Sequence, residues 1–125
     1  VILDTNALSA LAEGEAALKP VLGKAAQVAI PVIVLGEYRY GISQSRYRKH
    51  YEQWLDEYLP KFRVLDIDES TTMSYSMVRT ELKKAGTPIP SNDVWIAALC
   101  RQHTLPLLSR DHHFDYVSGI KRLEW

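Results

Sequence analysis

The sequence predicts an α/β fold, a three-layer α/β/α sandwich around a central, mainly parallel sheet of four to five strands. Three observations predict it. Short, mainly apolar, non-alternating runs recur along the chain, as expected of strands covered on both faces. Segments with helical periodicity separate them, so strands and helices alternate. The connections are short, and no repeat, low-complexity tract or long linker interrupts the 125 residues. That length suits one ordinary domain, expected over 1–125.

The first strand, 1–4, is the opening of "VILDTNALSAL", and a helix over 5–12 follows at once. Pro20 breaks the stretch after it. The second strand is 27–31, "QVAIP", and its last residue, Pro31, enters a helix over 32–43. The segment 46–59 sets Tyr47, Tyr51, Trp54, Leu55, Tyr58 and Leu59 on one broad helical face. A third strand at 63–67 leads to a helix over 69–84, with Asp68 as its N-cap. "GTPIPS" is a loop, and Ser91 or Asn92 is expected to cap an apolar helix ending near His103. A fourth strand lies at 106–109 and a fifth candidate at 120–123.

Composition narrows the function. Apolar residues make up 46% and charged residues 24%, ordinary values for a globular protein. Fifteen basic residues balance fifteen acidic ones, so any nucleic-acid contact must rest on a local patch. The single cysteine, Cys100, rules out an internal disulfide and suits a reducing, cytoplasmic setting. No apolar run approaches the ~20 residues of a membrane helix, and no secretory-signal pattern is visible.

The informative feature is a set of four acids. Asp4 ends the first strand, Glu37 lies in "VIVLGEYRYG", Asp93 opens "NDVWIAALC", and Asp111 follows the fourth strand in "SRDHHFD". Each stands just past a strand or near a helix start, where a parallel sheet gathers its ligand site. Each also has a structural reading: Asp4 and Asp93 as carboxylates at helix N-termini, Asp111 as a turn residue, Glu37 as half of a helical ion pair. The apolar neighbours of Glu37 and Asp93 favour a gathered site. Two carboxylates ~7 Å apart at an effective dielectric of ~20 repel by roughly 2–2.5 kcal/mol, and four together cost on the order of ten. Such a cluster must take up protons or a cation, and an all-oxygen set favours Mg²⁺ or Mn²⁺. The histidines make no zinc spacing.

Taken in order and spacing, "LDTNALS", "GEYRYG", "NDVWIAA" and "LLSRDHHF" resemble the PIN domain family, most of all its VapC-type ribonuclease toxins of prokaryotic toxin–antitoxin pairs. The resemblance covers nearly the whole chain. It implies a catalytic, metal-holding set of Asp4, Glu37, Asp93 and Asp111, with Thr5, Asn6 and Ser109 in support. Ser109 stands where members often carry threonine, so a hydroxyl is kept. The implied activity is Mg²⁺-dependent hydrolysis of RNA, leaving a 5′-phosphate and a 3′-hydroxyl. The implied partners are a VapB-type antitoxin and a second copy of the chain.

Arg39, Arg46, Arg48 and Lys49, interleaved with Tyr40, Tyr47 and Tyr51, form the clearest basic patch and a candidate RNA contact, with Arg110 as a further one. Their structural reading is a solvated helix face over core tyrosines. His113 with Phe114 reads as packing, and Asp115 as a marginal addition to the acids. Receiver domains want an acidic pair after the first strand, and haloacid-dehalogenase-type phosphatases want D-x-D; "LDTN" offers neither. A PIN scaffold that acts on DNA, or binds nucleic acid with little cleavage, is the alternative.

Overall fold

The computed structural model describes residues 1–125. Its sheet contains Ile2–Leu3 (β1), Ala29–Pro31 (β2), Arg63–Leu65 (β3), Leu107–Leu108 (β4) and Arg122–Leu123 (β5). The order is β3-β2-β1-β4-β5 and every pairing is parallel. Ile2 lies opposite both Ala29 and Leu107, which centres β1 in the sheet. The helices are Thr5–Ala12 (α1), Lys19–Leu22 (α2), Val32–Ser43 (α3), Arg48–Tyr58 (α4), Glu69–Ala85 (α5) and Ser91–His103 (α6).

Right-handed crossovers fix the layers. The path β1 to β2 to β3 steps one way across the sheet, so α1 to α4 cover one face. The return from β3 past β1 to β4 carries α5 and α6 to the other. Packing agrees: α1, α3 and α4 contact one another, and α5 lies along α6. Ile2, Leu3, Ile30, Leu107, Leu108 and Leu99 are fully buried in one contiguous core. No helix is long and apolar enough to cross a membrane.

Local chemistry explains most element boundaries. Asp68 caps α5 by accepting from the Thr71 N–H at 3.0 Å, and Thr71 Oγ1 reciprocates by accepting from the Asp68 N–H at 3.1 Å. Gly86, at φ 72°, closes the helix in the left-handed conformation that glycine adopts without strain. Three expectations need correction. The cap position of α6 is Pro90, not Ser91 or Asn92, and no side chain caps it. Proline's fixed φ directs the chain into the helix, and its carbonyl accepts from the Asp93 and Val94 N–H groups. The helix expected from 46 begins at Arg48, because Arg46 and Tyr47 form the turn before it. Strand β3 is not covered on both faces; it is a sheet edge with Arg63 and Val64 exposed.

Strand order reverses between β1 and β4, because β1 is followed by β2 on one side and neighboured by β4 on the other. In open parallel sheets the crevice outside such a reversal is where ligands bind. Asp4 and Ser109 are the residues that leave these two strands.

Candidate active site

The ladder between β1 and β4 continues as the Asp4 N–H donates to the Leu108 carbonyl at 3.1 Å. Asp4 is the N-cap of α1, and one of its oxygens accepts from the Thr5 N–H at 2.8 Å. Its other oxygen accepts from the Ser109 hydroxyl at 2.6 Å. The cap and site readings of Asp4 therefore coexist, one carboxylate oxygen in each. The residue is only 4% exposed. Burial pushes its carboxyl above the ordinary range, and Asp111 adds repulsion; the bonds from Ser109 and Thr5, and the charge of His113, act in the opposite sense.

The other acids reach this point from separate elements. Glu37 lies in the second turn of α3; desolvation raises its carboxyl first, then repulsion from Asp93 and Asp4. Asp93 lies in the first turn of α6; burial raises it, His113 opposes, and Asp4 and Asp111 add repulsion. Asp111 follows β4, and its N–H donates to Ser109 Oγ at 3.0 Å. The fold thus couples the acids through their charges, Asp4 with Glu37, Asp93 and Asp111, and Asp93 also with Glu37 and Asp111. Their surroundings are less apolar than expected, since Glu37 and Asp111 are exposed and only Asp4 is buried.

His113 is the member that sequence reasoning missed. The 3₁₀ turn His112–Tyr116 carries it back toward the acids, with Nε2 2.8 Å from Asp93 and 3.9 Å from Asp111. One donor atom from each of Asp93, Asp111 and His113 falls within 4.8 Å of the others. Packing against Phe114 is real, with ring centroids 4.8 Å apart, but the imidazole edge belongs to the site. The available signal was its place two residues after Asp111.

Ser109 organises the centre. Fully buried, it donates to Asp4, accepts from the Asp111 N–H, and lies 3.5 Å from Asn6 Nδ2. Asn6 Oδ1 in turn accepts from the Arg110 N–H at 3.4 Å. Thr5 Oγ1 is buried and forms no hydrogen bond of normal geometry, but it lies near enough to Glu37 to draw that carboxyl downward. Behind Ser109, Arg122 donates to its carbonyl at 3.0 Å and grips Asp115 through two bonds of 2.9 and 3.0 Å, besides pairing with Glu124. That pairing holds Asp115 away from the acid cluster.

The basic candidates divide. Arg110 bonds Glu15 at 2.9 Å and lies 4.3 Å over the Trp125 ring, so it braces the C-terminal end. Arg46 bonds the Tyr47 hydroxyl at 2.8 Å and Arg48 pairs with Glu52 at 2.7 Å. Arg39 and Lys49 make no ion pair and are exposed. Tyr40 and Tyr47 stand in solvent beside them, 71% and 54% exposed.

Chemically, the site offers carboxylate oxygens and one imidazole edge, and burial and then mutual repulsion raise three of the acids. That donor set fits a hard divalent cation, which would relieve the repulsion. Asp4, Glu37, Asp93 and Asp111 are the residues that could hold it.

Comparison with known proteins agrees with this geometry. Ribonuclease VapC2 of Rickettsia felis is 36% identical over 77 residues, 62% of this chain and 58% of that protein, so the match spans just over half of the relative's length. Ribonuclease VapC4 of Mycobacterium tuberculosis is 30% identical over 94 residues, 74% of this chain and 72% of that one. The crystal structure of VapBC2 from Rickettsia felis bound to a DNA fragment from their promoter superposes with a TM-score of 0.87 and 26% identity, covering 99% and 97% of the two chains. The family model for the PIN domain matches residues 1–120, and with the fold and the four acids in place the chain belongs to the PIN domain family.

Proposed function

We propose that this protein is a Mg²⁺- or Mn²⁺-dependent endoribonuclease, the toxin of a type II toxin–antitoxin pair. The observation that carries the reading is the gathering of Asp4, Glu37, Asp93 and Asp111 about the β1/β4 crevice with unfavourable charges between them, where Asp93, Asp111 and His113 lie close enough to share one ion. The names of the VapC relatives support RNA as the substrate class. The VapBC assembly supports a VapB-type antitoxin as partner, and the homodimer expected from the family resemblance completes the reading.

When bound, the divalent cation supplies positive charge that favours ionisation of an attacking water and offsets charge on the phosphate. The chain's own residues do the rest. The four carboxylates would hold the cation. Ser109 fixes one oxygen of Asp4 and the backbone of Asp111 together, so the two acids keep their spacing. His113 offsets part of the charge on Asp93 when protonated. Arg39 and Lys49, free of ion pairs, attract the RNA backbone, and Tyr40 and Tyr47 beside them offer faces for its bases.

The test is cleavage of labelled RNA by purified protein carrying Glu37→Gln, Asp93→Asn or Asp111→Asn. Each substitution should cut the rate sharply with the fold intact. Rates near wild type in all three would refute the assignment.

A further inference from the structure

The 3₁₀ turn after Asp111 sends two neighbouring histidines in different directions. His112 faces outward, its side chain 74% exposed, among Arg122, Asp115 and Glu124. His113 faces the acids, its side chain 27% exposed. Phe114, fully buried, anchors the turn, and its N–H donates to the Asp111 carbonyl at 3.4 Å. The His113 ring packs against the Phe114 ring, so packing sets its direction.

The His113 Nε2 is buried and makes no hydrogen bond of normal geometry, although an Asp93 oxygen lies 2.8 Å away. A hydrogen bond weakens steeply when the donor is turned off its acceptor. A histidine placed only to neutralise Asp93 would aim its N–H at that carboxylate. Two ligands of one ion behave differently: they lie side by side, each aimed at a third point between them.

The spacing agrees. Donors about 2.1 Å from an ion stand about 3.0 Å apart as neighbours and about 4.2 Å apart as opposites. Nε2 lies 2.8 Å from Asp93 and 3.9 Å from Asp111, and one donor atom from each of the three residues falls within 4.8 Å of the others. Asp4, with one oxygen on the Thr5 N–H and the other on the Ser109 hydroxyl, is not one of the three.

An imidazole changes which ion such a site prefers. Mg²⁺ takes oxygen ligands and gives up its waters reluctantly. Imidazole suits first-row transition cations, and Mn²⁺ is the member of that series that carboxylates also suit.

We propose that His113 is a metal ligand, completing with Asp93 and Asp111 a triad that selects Mn²⁺ over Mg²⁺. The proposal rests on the metal-dependent reading above and deepens it. Its test is binding, not cleavage. Mn²⁺ is titrated into RNA-free protein carrying isotope-labelled histidine, and electron spin-echo modulation of the bound ion reads whether a ring nitrogen coordinates it. Nitrogen coupling is expected in wild type and in His112→Gln, and none in His113→Gln or His113→Phe. The phenylalanine variant keeps a ring against Phe114, so the fold survives in at least one of the pair. Calorimetric titration should show Mn²⁺ affinity falling by about tenfold or more in both His113 variants, no less than the loss of a supporting group costs, with Mg²⁺ affinity moving by less than about threefold. Bound Mn²⁺ without nitrogen coupling, or coupling that survives in both His113 variants, would overturn the proposal and leave the carboxylate site standing. Equal losses of Mn²⁺ and Mg²⁺ affinity would overturn the selectivity. No binding of either ion by wild type at millimolar concentration would overturn both the proposal and the metal-dependent reading.

Discussion

Replacing Asp4 by asparagine separates charge from shape at the centre of the site. Asparagine caps helices about as well as aspartate, so the bond to the Thr5 N–H is retained. What changes is repulsion and the bond to Ser109. Taking ~7 Å and an effective dielectric of ~20, repulsion from Asp93 is roughly 2.4 kcal/mol. The Asp111 side chain is 51% exposed, so its share falls toward about 0.6 kcal/mol at the dielectric of water. Against this relief of about 3 kcal/mol, the Ser109 hydroxyl loses a charged acceptor, costing about 1–1.5 kcal/mol. The metal-free variant should therefore be more stable by about 2 kcal/mol, which at this chain length raises the melting midpoint by roughly 6–10 °C. The assay is a pair of thermal melts at neutral pH and low salt, in chelator and in millimolar Mg²⁺ or Mn²⁺. Metal should raise the wild-type midpoint by more than that of the variant, since a cation at a hundredfold its Kd stabilises by about 2.7 kcal/mol. A variant that melts below wild type in chelator, with the same response to metal, would show that Asp4 is a structural cap alone.

Burial and mutual repulsion raise Asp4, Glu37 and Asp93, so the folded state binds their protons more tightly than the unfolded chain. Stability is then lost as pH rises from the ordinary carboxylate value near ~4 through the raised folded values. In chelator the midpoint should climb as pH falls from 7 toward 5, less steeply in Asp4→Asn; a falling midpoint in both would contradict the cluster. Asp68, Asp115 and Glu124 are held low by hydrogen bonds from Thr71, Gln102 and Arg122, and their contribution is lost only below that window. Arg122→Ala should cost about 1–3 kcal/mol in chemical denaturation, because the Ser109 carbonyl loses its donor, and should slow cleavage without removing an acid; unchanged stability and rate would refute the bracing role. Sedimentation should show a dimer, and a monomer at tens of micromolar would contradict the proposed assembly.

How much of this was legible in the sequence depended on how local the cause was. Strand cores such as Ile2–Leu3 and the Asp68 N-cap depend on residues a few positions apart, and both were readable. That the four acids would gather at one edge was readable from their places just past strands or near helix starts, which a parallel sheet brings to the same side. His113 was misread because its direction depends on a 3₁₀ turn that points it, and not His112, at Asp93. Arg110 looked like a free cation because its partners, Glu15 and Trp125, are distant in sequence. The Pro90 entry to α6 was missed because side-chain caps are the commoner signal, and proline reaches the same geometry through φ alone.

The central claim is that the four acids cleave RNA through a divalent cation. Its most direct test is single-turnover cleavage of an end-labelled RNA while Mg²⁺ or Mn²⁺ is titrated into chelator-stripped protein, wild type beside Asp4→Asn. The expected result is no cleavage in chelator, a saturable rise in wild type leaving 5′-phosphate ends, and a variant that stays inactive across the titration. Equal cleavage with and without metal, or a variant that matches wild type at saturation, would contradict it.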